Sequence, residues 1–371
     1  MKKVLIVANH PTYVYTLRRE IIEKLINEGI EVAISCPKGI EIDFFTNIGC
    51  LFYENSISRH GKNIFQELRL LLEYLHIINK FKPNIILTYT LKPNLYVGII
   101  NRFKKFPMIA NVTGLGTILE NRSFLKKVLI HALRFSLKNV DTVFFQNKEN
   151  KEMFKENKIL VKSKLIPGSG VNTEFFNLLK YPKDNKTRFV FISRVMKEKG
   201  IDQYLTVAKS ITKKYPDTEF HICGFIDGDY KEVINDFIEK KIIIYHGMVS
   251  DIRTILKKMN CTVHPSYYPE GISNVLLESA SSGRPIITTD HIGCKDVINS
   301  DHSNGFLVNK EDSASLERAI IKFLDMNNSE RELMGLQGRK FVLEKFDRRI
   351  VVNEYFKTME EIGEKDGYRK R

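Results

Sequence analysis

No stretch of this 371-residue chain approaches the roughly eighteen consecutive apolar residues that a membrane-spanning helix requires, so no such helix is expected. A secretory leader is not expected either, because Met1, Lys2 and Lys3 run straight into the strand-like VLIVA without a leader's apolar core and cleavage site. Cysteine is scarce. Cys36, Cys50, Cys223, Cys261 and Cys294 form no C-x-x-C pair, which argues against a zinc site or a disulfide framework and points to reduced core residues of a cytosolic protein. There is no internal repeat, no low-complexity tract and no G-x-G-x-x-G fingerprint for a dinucleotide. Acidic residues are short in one half only: residues 1–170 hold 26 Lys and Arg against 14 Asp and Glu, and the remainder 32 against 30. The net charge of +14 is therefore concentrated at the front, as suits an anionic partner such as a nucleic acid or a membrane inner leaflet. No stripe of interleaved aromatic and basic residues supports the nucleic acid.

What is present is an alternation of short apolar segments with amphipathic ones. Strands are expected at 3–8, 30–35, 84–88, 107–112, 140–145 and 163–167, with helices at about 16–27, 63–81 and 123–139. The segment 63–81 should bury Ile64, Leu68, Leu71, Leu72, Leu75 and Ile78. The segment 123–139 sets Lys127, Arg134 and Lys138 against Phe124, Val128, Ala132 and Phe135, a pattern that fits either a membrane-surface helix or a core-packed one. YPKDNK at 181–186 breaks the composition and reads as a linker, after which the alternation restarts. Strands follow at 188–193, 219–224, 242–246, 261–264, 285–289 and 305–308, with a helix at 250–259 and closing helices at 313–326, 329–345 and 350–363. The expected fold class is α/β: two Rossmann-like, doubly wound parallel-sheet domains, with ligands at the carboxyl ends of the strands and the default site in the cleft between domains.

The chemistry gathers around HPSYYPEGISNVLLESASSG at 264–283. Glu270 should lie in the loop before a helix that starts after Gly271, and Glu278 about two turns along it. Two carboxylates so placed can hold separated parts of one polar ligand; the same spacing fits a capping acid and a solvated helix glutamate. Arg194 and Lys199, in SRVMKEKG, follow a strand and precede a helix near Gly200, an arrangement that grips a diphosphate or else forms a solvated basic turn. In HGMVSD at 246–251, Gly247 permits a flat ring to approach the backbone, and Ser250 or Asp251 can cap the next helix. Asp227-Gly228-Asp229 is a D-x-D triplet of the kind that binds a divalent metal in some sugar-transferring enzymes, but its setting suits an ordinary turn. In the first half, Asn9, His10 and Thr12 lie after the first strand, with His10 a possible acid or base. Asn111-Val112-Thr113-Gly114-Leu115-Gly116-Thr117 follows a later strand.

Taken in order, SRVMKEKG, HGMVSD, HPSYYPEGISNVLLESASSGRPIITTD, GCKDVI and NGFLV resemble the C-terminal half of retaining, GT-B-fold glycosyltransferases of family 4. IVANHPTYVYTLRRE, ILTYTLKPN and ANVTGLGT resemble the first half of a bacterial subgroup that builds capsule, O-antigen and lipid-linked oligosaccharides. The resemblance implies that Arg194 and Lys199 grip a nucleotide diphosphate and that Glu278 accepts from the ribose hydroxyls. It implies that Glu270 orients the transferred sugar, that the backbone of Gly271, Ile272, Ser273 and Asn274 meets sugar and phosphate, and that 246–249, with Gly247 and Val249, holds the base, most often uracil. Asn9, His10, Thr12, Thr113, Gly114 and Gly116 would face the acceptor side. No metal or other cofactor is implied.

The expected function is transfer, with retention, of an N-acetylhexosamine-type sugar from a UDP-sugar to a polyprenyl-diphosphate-linked saccharide in surface polysaccharide or glycan synthesis. The expected place is the cytoplasm, at the anionic inner face of the cytoplasmic membrane, with no nucleic-acid partner. A nucleotide-sugar epimerase and a non-catalytic sugar-nucleotide-binding partner are the alternatives. The expected domains are 1–178, joined by 350–371, and 187–349. Two departures from the family leave first-domain catalysis open: the first loop reads Asn-His-Pro-Thr where a glycine pair is usual, and the 111–117 loop has no histidine.

Overall fold

The computed structural model describes residues 2–57, 64–114, 124–301 and 303–369. It divides into two compact units. One comprises Met1–Ser169 with Arg349–Arg371, the other Gly170–Arg348.

The first unit holds a seven-stranded parallel sheet of β1 (Lys3–Val7), β2 (Glu31–Cys36), β3 (Leu51–Glu54), β4 (Ile85–Tyr89), β5 (Met108–Val112), β6 (Thr142–Phe145) and β7 (Ser163–Leu165). Its order is β3-β2-β1-β4-β5-β6-β7. β1, β4, β5 and β6 are buried along nearly their whole length, which is why their sequences are continuously apolar and do not alternate. One apolar cluster packs residues of β1 and β2 against Val351, Tyr355, Phe356, Met359 and Ile362 of the last helix, Arg348–Arg369.

The second unit holds a six-stranded parallel sheet of β8 (Thr187–Ile192), β9 (Thr218–Cys223), β10 (Ile244–Tyr245), β11 (Cys261–His264), β12 (Ile286–Thr289) and β13 (Gly305–Val308). Its order is β10-β9-β8-β11-β12-β13. In both sheets the order reverses beside the first strand, so the ends of β1 and β4, and of β8 and β11, flank a topological switch point where such sheets bind ligands.

Several expectations are corrected. The first helix begins at Pro11, not near Thr16, because proline needs no hydrogen-bond acceptor in a helix's first turn. His10 is thereby its N-cap residue and Thr12 lies inside the helix. The short strand β3 and the helices Glu41–Asn47, Leu91–Lys104 and Lys148–Glu156 were not expected; the first two are short, and the others carry weak or strongly polar patterns. The segment 250–259 contains only Arg253–Leu256 as helix, and Asp251 serves Arg253 through both its backbone N–H and its guanidinium.

The faces of two helices are rotated from expectation. Ile64–Phe81 buries Leu70, Tyr74, Ile77, Ile78 and Phe81, leaving Ile64, Leu68 and Leu72 exposed. Phe124–Ser136 buries Ile130 and Leu133, leaving Val128 and Phe135 exposed. Nor is 181–186 a linker between the units. Tyr181 is buried and donates to the Asn260 carbonyl, and Asp184 pairs with Arg188, all within the second unit. Residues 170–178 likewise belong with the second unit, because Val171 bridges to Asp347 and the Phe176 carbonyl accepts from Ser281 and Arg339.

Candidate functional site

At the carboxyl end of β8 the chain passes Arg194 and enters a 3-10 turn at Lys197–Lys199, and Gly200 then caps the helix Ile201–Lys214. Gly200 has φ +79°, and a Cβ there would lie 2.2 Å from the Pro265 carbonyl oxygen. The turn therefore sits directly against the loop that leaves β11. That loop is pinned to it again by the Tyr267 N–H, which donates to the Glu198 carbonyl at 2.9 Å.

The outcome is that Arg194 and Lys199 converge. Their charged ends lie 5.7 and 4.9 Å from the centre of the Tyr268 ring, over a face that attracts cations. Tyr268 lies within the conspicuous 264–283 stretch, but the sequence gives it no role, because the two cations that meet its ring lie some seventy residues earlier in the chain. Lys199 is buried and ion-paired with Glu270. Burial pulls its ammonium down to about 8 and Arg194 pushes the same way, while the carboxylate in contact favours the charged form. Arg194 is half-buried and pairs with Asp227 at 3.0 Å. The first aspartate of the D-x-D triplet is thus engaged by an arginine.

Beyond Glu270 the chain does not become helical at once. Gly271, Ile272 and Ser273 form a buried turn, and the helix runs Asn274–Ser281. Ile272 anchors the turn in the apolar cluster with Leu276, Leu277 and Val297. From behind, Gly293 presses on it: a Cβ at Gly293 would meet the Gly271 carbonyl oxygen at 2.5 Å, and the Ser273 N–H donates to the Gly293 carbonyl. Ser273 makes no side-chain cap. Its hydroxyl faces the Nε2 of buried His264 at 3.3 Å instead. Burial, with Lys199 adding to it, drops the His264 imidazole to about 3, so it stays neutral. The first-turn N–H groups after Ser273 have no acceptor within the helix, and the positive end of its dipole lies four residues beyond Glu270, the partner of Lys199. Glu278 lies on this helix, and burial raises its carboxyl to about 7, with Arg348 opposing.

Gly247 has φ +65°, and a Cβ there would meet nothing within 4 Å, so open space lies beside the backbone. Its carbonyl accepts from the Gly224 N–H at 2.8 Å, and Gly224 in turn lies against the Ser193 carbonyl next to Arg194. Val249 is half-buried against the cluster of Val190, Cys223, Leu256 and Met259. The structure thus gathers Arg194, Lys199, Glu270, Gly271, Ile272, Ser273, Asn274, Gly247 and Val249 in loops at the carboxyl edge of one sheet, with Glu278 further along the helix that follows.

The first-unit residues form a separate group in their own sheet. Asn9 and His10 are half-buried at the end of β1, and Thr12 donates to Glu41. Thr113 and Gly114 are half-buried after β5, and Gly116 lies outside the described residues. Beneath them Tyr355 donates to the Asn111 side chain, whose amide donates to the Thr88 carbonyl.

Two family models match, one described as glycosyl transferase 4-like over residues 3–147 and one as glycosyl transferases group 1 over 173–341. A capsular polysaccharide biosynthesis glycosyltransferase, CapM, of Staphylococcus aureus is 28% identical over 364 residues, covering 91% of this chain and 92% of that protein. An N,N'-diacetylbacillosaminyl-diphospho-undecaprenol alpha-1,3-N-acetylgalactosaminyltransferase of Campylobacter jejuni is 23% identical, covering 94% and 96%. Among solved structures, sucrose-phosphate synthase of Thermosynechococcus elongatus superposes with TM-score 0.80 at 16% identity over 98% of this chain and 99% of that one. Anabaena HepE in complex with UDP does so with TM-score 0.77 at 14% identity over 97% and 100%. The fold is the GT-B fold. The chain belongs to the group 1, family-4-like glycosyltransferases.

Proposed function

We propose that this glycosyltransferase takes its sugar from a UDP-sugar and passes it, with retention, to a polyprenyl-diphosphate-linked saccharide in the making of a bacterial surface polysaccharide or glycan. The observation that carries the donor half is the convergence of Arg194 and Lys199 over Tyr268, beside an uncapped helix N-terminus. Two cations and oriented N–H groups meet the charge that a departing nucleoside diphosphate develops. Glu278 accepts from the ribose hydroxyls. Glu270, the ion-pair partner of Lys199, holds the sugar when Lys199 turns to the diphosphate. No metal is required for this chemistry, and the engagement of Asp227 by Arg194 favours that reading of the D-x-D triplet. His10 and the loops holding Thr113 and Gly114 receive the acceptor.

The relatives that act in capsule synthesis and on an undecaprenyl-diphosphate-linked sugar support the acceptor class and an N-acetylhexosamine-type unit. The basic first half, with exposed Ile64, Leu68 and Leu72 on one helix and Val128 and Phe135 beside Lys127 and Arg134 on another, supports peripheral attachment to an anionic inner membrane face. Among the described residues, no helix is long and apolar enough to cross a membrane.

The test is UDP release from a panel of UDP-sugars in EDTA, with and without membrane lipid extract. Release from one donor only when lipid is present is expected. Equal release without acceptor, or none despite tight UDP binding, would overturn the reading.

A further inference from the structure

Two histidines at the edge of the second sheet are joined in a way the roles above do not use. His221 is buried in β9, and His246 is half-buried directly after β10. Their ring planes are parallel to within 7° and meet edge to edge, with centroids 5.2 Å apart and His221 Nδ1 2.9 Å from His246 Nε2. Both imidazoles are neutral at pH 7. Burial, then the neighbouring His246, takes His221 down to about 4, and burial, then Lys258, lowers His246. In a neutral pair one nitrogen donates the shared proton and the other accepts it, so fixing one ring's tautomer fixes both.

Glu219 supplies the fixed point. Its carboxylate is held ionised by Lys186 and Arg188, and its Oε2 stands 3.6 Å from the far nitrogen of the buried ring, His221 Nε2. A lone pair on Nε2 would face that negative charge, whereas an N–H is attracted to it. The proton of His221 therefore sits on Nε2, its Nδ1 accepts from the Nε2–H of His246, and His246 is left with a bare lone pair on Nδ1.

His246 adjoins Gly247, the glycine with open space beside it, whose carbonyl is tied through Gly224 to the strand end that carries Arg194. We propose that His246 is a specificity-determining residue: its Nδ1 accepts a hydrogen bond from the ring N–H of the donor's nucleobase, and Glu219 and His221 are positioning residues that hold it in the accepting tautomer. This inference rests on the reading of the second-unit site as a nucleotide-sugar site. Uracil and guanine present a ring N–H at the middle of the pairing edge. Cytosine and adenine present a lone pair there, which would face another lone pair. A site built to accept from an N–H rejects the analogue that lacks it.

The experiment is titration calorimetry of the full chain with UDP, GDP, CDP, ADP and 3-methyl-UDP, which lacks the ring N–H, with inorganic pyrophosphate as a probe of the cations alone. For the unaltered protein, UDP should bind roughly ten- to a hundredfold more tightly than CDP or 3-methyl-UDP. His246→Ala should bring these affinities together while leaving pyrophosphate binding in place, which also shows that the variant is folded. His221→Phe, which cannot accept from His246, should lower the UDP-to-CDP ratio and move the proton of His246 between its nitrogens, read from imidazole 15N shifts. If UDP binds and His246→Ala keeps the full UDP-to-CDP ratio, or if the 15N shifts place the His246 proton on Nδ1 in the unaltered protein, this inference alone falls. If none of the nucleoside diphosphates binds, the nucleotide reading of the site falls and takes this inference with it.

Discussion

Two titrating side chains set the working range of the proposed donor site. Glu278, raised to about 7 by burial, must lose its proton to accept from ribose hydroxyls, and Lys199, at about 8, must keep its proton to hold phosphate. UDP affinity should therefore peak between about pH 7 and 8, falling toward acid through Glu278 and toward alkali through Lys199. Calorimetry in buffers of different ionisation enthalpy should detect protons released on binding near pH 7, and Glu278→Gln should abolish the acid limb. Stability follows the same logic. A carboxyl whose folded value lies above its unfolded one favours the fold at low pH, and that contribution is lost as pH rises from the unfolded value of about 4.5 through about 7. Glu278→Gln should accordingly raise the melting temperature at pH 8 more than at pH 5.

The pairing of Lys199 with Glu270 separates their substitutions as well. Lys199→Ala should weaken UDP binding itself. Glu270→Ala should leave UDP binding within a few-fold while turnover falls sharply, as expected where a group acts on the sugar in the transition state and not on the nucleotide. Loss of UDP binding in a folded Glu270→Ala protein would reassign that carboxylate.

Among elements, the strands were the most legible. β11 and β13 coincide with their expected spans because a short strand-forming run bounded by turns has few other ways to fold. The 264–283 stretch was legible for a related reason: Pro265, Pro269 and Gly271 leave Glu270 in a loop and Glu278 on a helix. Helix orientation was less so. In Ile64–Phe81 the apolar residues occupy more than one face, and sequence periodicity cannot say which face meets the sheet; Leu70 and Tyr74 went inward while Leu68 and Leu72 stayed out. Least legible were contacts between distant segments, such as Tyr268 under two cations or Glu219 beside His221, which exist only after the strands are side by side.

The turn before the helix Asn274–Ser281 and the loop at Gly247 also answer differently to a methyl group. Gly293→Ala adds a clash with the Gly271 carbonyl to a left-handed backbone, so it should cost roughly 1–3 kcal/mol and slow transfer. Gly247→Ala meets nothing and should cost about 1 kcal/mol, yet weaken nucleotide binding by filling the open side. Chemical denaturation and UDP titration on both variants separate the two effects. Ile64, Leu68 and Leu72 changed together to serine should reduce co-sedimentation with anionic vesicles and leave UDP affinity unaltered.

At the scale of the whole molecule, each unit has its own sheet and its own apolar clusters, so the two should respond separately to ligand and to mutation. UDP should raise the melting of the second unit, by mass action on the state that binds it. Tyr355→Ala removes a fully buried ring that packs edge-on to Phe144 and bonds Asn111, so it should destabilise the first unit by about 3–5 kcal/mol. Calorimetric scans should show that substitution lowering one transition while UDP raises the other; a single transition moved by both would show that the units unfold as one.

The first unit is made from the two ends of the chain, with the whole second unit inserted between Ser169 and Arg349. The whole second unit is therefore translated before the helix that supplies Val351, Tyr355 and Phe356 to the core of the first. The N-terminal half, made earliest, is therefore completed last. For the time taken to translate about two hundred residues, at the usual 5–20 per second, it presents an unfilled apolar face to solvent and to chaperones.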